Sequence, residues 1–179
     1  RLLLGQTRLS ILDLSPAGHQ PMRSPDGRYT ITYNGEVYNY RELREELRAL
    51  GVPFHSGTDT EVVLQALIHW GKDALNKFSG MFALALFDAR ENTLFCARDF
   101  FGIKPFFWHT GANGFCFASE LPGLLAFPAV PRKIDPVSAY QYLCYGQYDV
   151  GSATMLADVY ALPPAHCCTV RLDAPNSIQ

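Results

Sequence analysis

Asn34 and Gly35 are the first neighbouring residues in the sequence whose types could do chemistry. A side-chain amide N–H and an unobstructed backbone N–H at one point can together hold a developing oxyanion. Two runs rich in β-branched and aromatic residues flank this pair, and Asn-Gly in such a setting is the strongest short-range signal for a tight hairpin. The sequence therefore predicts a hairpin over residues 29–40, whose bend is either an oxyanion site or a turn and nothing more.

Two charged residues could complete a site for a free amino acid. Arg8, in the segment Thr7-Arg8-Leu9-Ser10-Ile11, could clamp a carboxylate through two parallel hydrogen bonds. Asp59, in Gly57-Thr58-Asp59-Thr60-Glu61, could hold an ammonium group. Each residue also has a purely structural interpretation, a surface salt bridge for Arg8 and a helix cap for Asp59.

The elements that must position these residues follow from hydrophobic spacing. Leucines at helical spacing predict a surface helix over residues 39–50, with a capping-box pattern formed by Asn39 and Glu42. Thr58 followed by Glu61 gives a second capping pattern and predicts another helix as far as Trp70. Asp59 is thereby placed at or beside a helix N-terminus.

The remaining pattern is mainly one of strands. An extended segment is predicted over residues 2–14 and a loop over 15–21. Strands follow at 81–87, 93–97, 105–108 and 114–118, which we interpret as one antiparallel meander. Helices are predicted at 119–127 and 135–145, and short strands at 158–162 and 167–172. The chain is thus expected to have an α+β fold with layers of sheet and helix.

Composition narrows the range of partners. The chain has 179 residues, 18% of them charged, and a net charge of -2 without a run of Lys or Arg, so we expect neither nucleic acid nor a membrane as partner. Its five cysteines are odd in number and follow no disulfide or metal spacing, which favours a reducing, cytoplasmic location. The histidines show no ligand spacing either, so no metal is expected.

Five ordered motifs resemble one known family. They are Thr7-Arg8-Leu9-Ser10-Ile11-Leu12-Asp13-Leu14, Gly18-His19-Gln20-Pro21-Met22, Tyr33-Asn34-Gly35-Glu36-Val37-Tyr38-Asn39, Gly57-Thr58-Asp59-Thr60-Glu61 and Ala97-Arg98-Asp99-Phe100-Phe101-Gly102-Ile103-Lys104-Pro105. Together they resemble the glutaminase domain of glutamine-hydrolysing asparagine synthetase, a class II glutamine amidotransferase. The resemblance implies an N-terminal-nucleophile hydrolase-like fold, a four-layer sandwich of two antiparallel β-sheets flanked by helices.

The resemblance also implies roles for the residues at both ends of a bound L-glutamine. Arg8 corresponds to the arginine that binds the α-carboxylate. Ile11 and Leu12 correspond to residues that line the pocket through their backbones. Asp59 corresponds to the aspartate that binds the ammonium group. At the amide end, Asn34 and Gly35 correspond to the pair that forms the oxyanion hole. Glu36 corresponds to the neighbouring residue that contacts the substrate.

The reaction implied is hydrolysis of L-glutamine to glutamate and ammonia by an N-terminal cysteine. This sequence begins with Arg1 and lacks the opening Cys-Gly-Ile segment of the family, so as given it is expected to be catalytically silent. None of the five cysteines, Cys96, Cys116, Cys144, Cys167 and Cys168, fits the role of nucleophile. The alternative is a non-catalytic scaffold or interaction domain; an unrelated α+β binding domain is a third interpretation.

The domain organisation follows from the same resemblance. Residues 1–172 are expected to form a glutaminase-type domain without its nucleophile segment, and residues 173–179 a polar tail or the start of a linker. The expected partners are L-glutamine and a covalently linked synthetase domain, and a homodimer is a further possibility. This domain would need no cofactor, whereas the absent synthetase domain would use ATP and Mg²⁺. The ammonia acceptor would be aspartate, in asparagine biosynthesis, or another acid.

Overall fold

The computed structural model describes residues 2–7, 16–112, 114–148 and 150–178. Its strands are β1 (Met22–Arg23), β2 (Tyr29–Val37), β3 (Gly80–Asp88), β4 (Thr93–Arg98), β5 (Phe107–Gly111), β6 (Gly114–Ala118), β7 (Tyr160–Ala161), β8 (Cys167–Arg171) and β9 (Ala174–Ile178). Its α-helices are α1 (Tyr40–Ala49), α2 (Asp59–Trp70), α3 (Leu121–Leu125) and α4 (Pro136–Tyr145). Short 3₁₀ helices occupy Pro16–Gly18 and Gly71–Lys77.

The strands form two antiparallel sheets. The larger sheet has six strands in the order β1-β2-β3-β4-β8-β9, and the smaller has three in the order β6-β5-β7. The prediction of a single meander is therefore wrong, because β3 and β4 lie in the larger sheet whereas β5 and β6 lie in the smaller one. The predicted α+β class is confirmed.

Three apolar clusters separate the layers. One lies between the larger sheet and helices α1 and α2, and contains Ile31, Leu47 and Val63. A second lies between the sheets, where Ala83 and Ala85 of β3 are buried together with aromatic residues of the smaller sheet. A third packs α3 on the outer face of the smaller sheet. The helix–sheet–sheet–helix order is the predicted four-layer sandwich.

Helix α2 starts as the sequence predicts, whereas the cap predicted for α1 is wrong. The Thr58 hydroxyl accepts a hydrogen bond of 3.2 Å from the Glu61 N–H, which caps α2. Asn39 makes no side-chain cap to α1. Its carboxamide instead donates to the Lys77 carbonyl and accepts from the Ser79 N–H, so it ties the end of β2 to the segment before β3.

The predicted Asn-Gly hairpin is also wrong, because β2 continues through Asn34 and Gly35 to Val37. All nine residues of β2 pair with β3, with Gly35 opposite Phe82. A Cβ on Gly35 would lie 2.7 Å from Phe82 Cα and still closer to the Met81 carbonyl oxygen. Glycine is required here by the close approach of two strands rather than by a turn.

The chain crosses from one sheet to the other around Arg98 and Asp99. The buried Asp99 carboxylate accepts hydrogen bonds from the N–H groups of Phe82, Phe101, Ile103 and Lys104. The Arg98 guanidinium donates to the carbonyls of Gly102, Lys104 and Leu162. These bonds hold the segment between β4 and β5 in place where the chain leaves the larger sheet.

Two predictions concern the ends of the described chain. Residues 2–7 form neither a helix nor a strand, and residues 8–14 of the predicted extended segment lie outside the described residues. Residues 174–178 form β9 beside β8, in the range for which the sequence predicts a polar tail or the start of a linker. Within the described ranges, no helix is long and apolar enough to cross a membrane.

Candidate functional site

A cavity of about 1280 Å³ brings four of the predicted site residues together. It lies between the sheets and at the β2 edge, and its lining includes Asn34, Gly35, Glu36 and Asp59. Small-molecule sites commonly measure roughly 300–1,000 Å³, so the cavity can hold a free amino acid. The three remaining predicted residues, Arg8, Ile11 and Leu12, lie outside the described residues.

The backbone N–H of Gly35 points away from β3, toward the opposite edge of β2. The Tyr38 N–H donates to the Ser79 carbonyl in the ladder between β2 and β3. The backbone N–H and C=O groups of even-numbered β2 residues therefore point toward β3, and those of odd-numbered residues point toward the opposite edge. On that edge, Tyr33 N–H donates to Gln20 Oε1 and Val37 N–H donates to Asp59 Oδ2. Among the described residues, the Gly35 N–H between them has no acceptor, so it is available to a ligand.

The Asn34 side chain supplies a second donor in the same cavity. Its Nδ2 lies 3.4 Å from the Ser119 hydroxyl oxygen, in the turn between β6 and α3. Asn34 and Gly35 are consecutive residues of one strand. The side chain of Asn34 therefore projects from a face of the sheet, whereas the backbone N–H of Gly35 lies in the plane of the sheet. The two donors are thus offered from neighbouring positions without the tight turn that the sequence suggested.

Asp59 presents a buried carboxylate at the start of α2. Its Oδ2 accepts hydrogen bonds from the Tyr33 hydroxyl at 2.8 Å and from the Val37 N–H at 3.1 Å. Both bonds from described residues end on Oδ2, which leaves Oδ1 for a ligand. The helix N-terminus also favours negative charge at this position. Asp59 lies at the helix N-terminus as predicted, but the cap itself is Thr58.

The loop before α2 is held in place by two charged side chains. The Glu61 carboxylate accepts hydrogen bonds from the N–H groups of His55 and Ser56 and from the Ser56 hydroxyl. The Arg44 guanidinium of α1 donates to the carbonyls of Ser56 and Thr58. Because this loop leads directly into α2, these bonds fix where the Asp59 carboxylate points.

Sequence reasoning assigned no role to several residues that shape the site. Tyr33, whose pKa is raised by burial and then by the nearby Asp59 carboxylate, holds Asp59 through its hydroxyl. Gln6 and Gln20 both donate to the Tyr33 carbonyl, and Ser119 touches Asn34. Tyr33 and Gln20 had a signal, since each lies within one of the five motifs, whereas the parts played by Gln6 and Ser119 depend on contacts between distant segments.

The cysteines offer no activated thiol in the cavity. Cys116 is the one cysteine in the lining of the described cavity, and burial raises its pKa while its Sγ lies 3.7 Å from the His109 carbonyl oxygen. Burial likewise raises the pKa of Cys96, whereas a hydrogen bond from Cys96 lowers the pKa of Cys168. Cys96 and Cys168 face each other on β4 and β8, outside the cavity lining. Within the described ranges, no group of three or more His, Cys, Asp or Glu side chains could hold a metal ion.

Comparison with known proteins identifies the family. The profile of a family described as glutamine amidotransferase domain matches residues 1–177. The chain belongs to the glutamine amidotransferase domain family. The resemblance to the glutaminase domain of glutamine-hydrolysing asparagine synthetase is confirmed, because curated asparagine synthetases align with nearly the whole of this amidotransferase domain.

Three such relatives show the extent of the similarity. Asparagine synthetase [glutamine-hydrolyzing] 3 of Bacillus subtilis (strain 168) is 37% identical over 177 residues, which cover 98% of this chain and 29% of the relative. Asparagine synthetase [glutamine-hydrolyzing] 1 of the same organism is 39% identical over 169 residues, which cover 94% of this chain and 26% of the relative. A putative asparagine synthetase [glutamine-hydrolyzing] of Mycobacterium bovis is 48% identical over 130 residues, covering 69% and 20%. The amidotransferase domain thus spans less than a third of each of these relatives.

Solved structures support the fold. The structure of glutamine phosphoribosylpyrophosphate (PRPP) amidotransferase from B. subtilis complexed with ADP and GMP superposes with a TM-score of 0.61 at 18% identity, covering 92% of this chain and 32% of that one. A structure described as the allosteric regulatory enzyme of purine biosynthesis gives a TM-score of 0.60, also at 18% identity, covering 93% and 33%. The fold is therefore of the N-terminal-nucleophile hydrolase type, as the sequence resemblance implied.

Proposed function

We propose that this domain binds L-glutamine in the cavity at the β2 edge and supplies the oxyanion-stabilising groups for hydrolysis of its side-chain amide. The observation that carries the proposal is the Gly35 N–H. It points away from β3 and has no acceptor among the described residues, and Gly35 and Asn34 both line the cavity. Two such donors match the needs of a carbonyl oxygen that gains negative charge.

The other end of the substrate is assigned by charge. Asp59 Oδ1 would accept hydrogen bonds from the α-ammonium group, while Oδ2 stays bound to Tyr33 and Val37. Glu36 lines the same cavity and would contact the substrate near the amide. Arg8, with Ile11 and Leu12, remains the candidate for the carboxylate end. An Arg and an Asp at opposite positions would select a free amino acid rather than a peptide.

Bond cleavage requires a nucleophile besides these groups. We propose that it is a cysteine thiolate with a free α-amine, placed N-terminal to Arg1 in a longer protein, because none of the five cysteines lies in the cavity with a lowered pKa. The thiolate would attack the amide carbon, the oxyanion would rest on Asn34 and Gly35, and ammonia would leave after the α-ammonium group of the cysteine gives a proton to its nitrogen. Water would then hydrolyse the resulting thioester, which releases glutamate and restores the thiol. The residues of this chain would thus bind glutamine without hydrolysing it.

The ammonia would serve a synthetase domain in a longer protein, as the names of the relatives suggest. We propose aspartate as the acceptor, with ATP and Mg²⁺ used by that other domain and no cofactor needed by this one. A cytoplasmic location and a homodimer belong to the same proposal.

The test has two arms. Calorimetric titration of the chain with L-glutamine should show binding, and Asp59→Asn should weaken it. In a version extended by an N-terminal segment that begins with Cys, glutamate release should appear and Asn34→Ala should lower kcat by on the order of 100-fold or more. A loss of less than threefold would contradict the oxyanion assignment. Binding without hydrolysis in the extended version would favour a non-catalytic scaffold.

A further inference from the structure

Gln6 carries a buried oxygen that lacks a hydrogen-bond donor. Its Nε2 donates to the Tyr33 carbonyl at 2.7 Å, while its Oε1 is buried and has no partner among the described residues. The orientation of this amide is fixed, because only the NH₂ group can donate to a carbonyl oxygen. Buried polar atoms without a partner are rare in folded proteins, and such an atom at a binding site is expected to meet a donor from the ligand.

The side chain that carries this oxygen is bound to the same edge of β2 as the Gly35 N–H. Gln6 lines the cavity together with Asn34 and Gly35. The Tyr33 carbonyl to which it is bound is on the same edge of β2 as the Gly35 N–H, and the two groups are neighbours along the strand. Gln6 and Gly35 thus line the cavity at neighbouring positions of this edge, and among the described residues the Gln6 Oε1 has no donor and the Gly35 N–H has no acceptor.

A primary amide fits this pair of groups. Its carbonyl oxygen accepts hydrogen bonds and its NH₂ group donates them from the same carbon atom. With its oxygen on the Gly35 N–H and Asn34 Nδ2, the amide would direct an N–H toward Gln6 Oε1. The γ-carboxylate of glutamate in the same position would place an oxygen against Gln6 Oε1, and the two oxygens would repel each other.

We propose that Gln6 is a specificity-determining residue that accepts a hydrogen bond from the side-chain NH₂ of bound glutamine and so disfavours glutamate. This inference rests on the proposed function. The α-ammonium group is the other donor of the substrate, but Asp59 carries the charge that suits it. Gln6 takes part in no covalent step; it would hold the amide plane while the carbonyl is attacked.

Gln20 provides a matched control. It also donates through Nε2 to the Tyr33 carbonyl, at 3.0 Å, but its Oε1 is already bound by the Tyr33 N–H at 2.7 Å. Its Nε2 lies 3.3 Å from the Thr60 hydroxyl as well. Both glutamines therefore support the same backbone group, and only Gln6 has an acceptor left for the ligand.

The experiment compares two probes, L-glutamine and the γ-methyl ester of L-glutamate, which keeps the carbonyl oxygen but has no N–H. Their dissociation constants are measured by calorimetry for the unchanged chain, Gln6→Met and Gln20→Met. We expect Gln6→Met to lower the preference for glutamine over the ester by on the order of tenfold, because one hydrogen bond to the ligand is lost. Gln20→Met should weaken both probes by the same factor.

The results separate this inference from the proposed function. If Gln6→Met leaves the glutamine-to-ester ratio unchanged within a factor of two, or Gln20→Met changes it as much, the inference is wrong while glutamine binding stands. If the unchanged chain binds neither probe, both fail. Should Gln6→Met not fold by circular dichroism, a crystal structure of the unchanged chain with L-glutamine decides. Gln6 Oε1 must then lie within about 3.2 Å of the ligand carboxamide nitrogen, and a longer distance overturns the inference.

Discussion

The Tyr33 hydroxyl donates a hydrogen bond of 2.8 Å to Oδ2 of Asp59, and this bond joins strand β2 to the first turn of α2. Tyr33 precedes the Asn34-Gly35 pair directly, and its own N–H and C=O are held by Gln20. One residue therefore links the groups assigned to the amide end of the substrate with the carboxylate assigned to its ammonium end.

Asp59→Asn should weaken glutamine binding on the order of 10- to 100-fold and leave the fold nearly intact. The amide oxygen of Asn can still accept from Tyr33 and Val37, but the negative charge that binds the ammonium group is lost, and charge-assisted hydrogen bonds contribute about 1.5–3 kcal/mol. Calorimetric titration with L-glutamine gives the affinity, and circular dichroism checks the fold. Unchanged affinity would remove Asp59 from the site.

Tyr33→Phe should lower the free energy of unfolding by about 1–2 kcal/mol at pH 7, because the buried Asp59 carboxylate loses one of two donors. Urea denaturation measures this change. Glutamine affinity should also fall, since the carboxylate is free to rotate. Tyr38→Phe is the control, because the Tyr38 side chain is exposed and lies outside the cavity lining. Equal effects of the two variants would contradict the prediction.

The same tyrosine should make stability depend on alkaline pH. Burial and the Asp59 carboxylate raise the pKa of Tyr33 above its ordinary value near 10. Above pH 10 the unfolded chain therefore releases a proton that the folded chain keeps, and stability falls by about 1.4 kcal/mol per pH unit for this group. Below pH 10 its contribution is fully present. Urea denaturation at pH 9, 10 and 11 should give a shallower decline for Tyr33→Phe than for the unchanged chain.

Local patterns predicted the elements that depend on nearby residues. The leucine spacing of α1 and the Thr58–Glu61 cap of α2 are satisfied within a few residues, and both helices form where expected. The Asn34-Gly35 turn signal failed because nine cross-strand pairs with β3 outweigh the local preference of these two residues for a turn. Such pairing depends on a strand that begins at residue 80, which no short window can reveal.

The candidate site was predictable only where a motif carried it. Asn34, Gly35, Glu36 and Asp59 do share one cavity, as the motif resemblance implied. Gln6 remained hidden because its importance comes from one unpartnered oxygen, which is a property of the packed chain. The division of strands between two sheets was equally hidden, because the chain leaves the larger sheet near Asp99, whose carboxylate accepts a hydrogen bond from the N–H of the distant Phe82.

Gly35→Ala should lower the free energy of unfolding by about 1–3 kcal/mol and weaken glutamine binding. A methyl group at this position would meet the backbone of Met81 and Phe82, so β2 and β3 would have to separate and the Gly35 N–H would move. Gly5→Ala is the matched control, because a Cβ there would have no neighbour within 4 Å. If both variants unfold at the same urea concentration, the close approach of β2 and β3 does not require glycine.

Asp99→Asn should lower the free energy of unfolding by about 2–4 kcal/mol at pH 7, because a neutral amide cannot accept from all four N–H groups around it. Burial alone would raise the pKa of Asp99, but the N–H bonds from Lys104, Ile103, Phe82 and Phe101 outweigh it and lower that pKa. The contribution of Asp99 is therefore present above about pH 4 and is lost as the pH falls through its folded-state pKa. Urea denaturation should show the variant and the unchanged chain converging below pH 4. Asp173→Asn is the control, because it removes only an exposed ion pair and should leave the pH profile of the unchanged chain as it is.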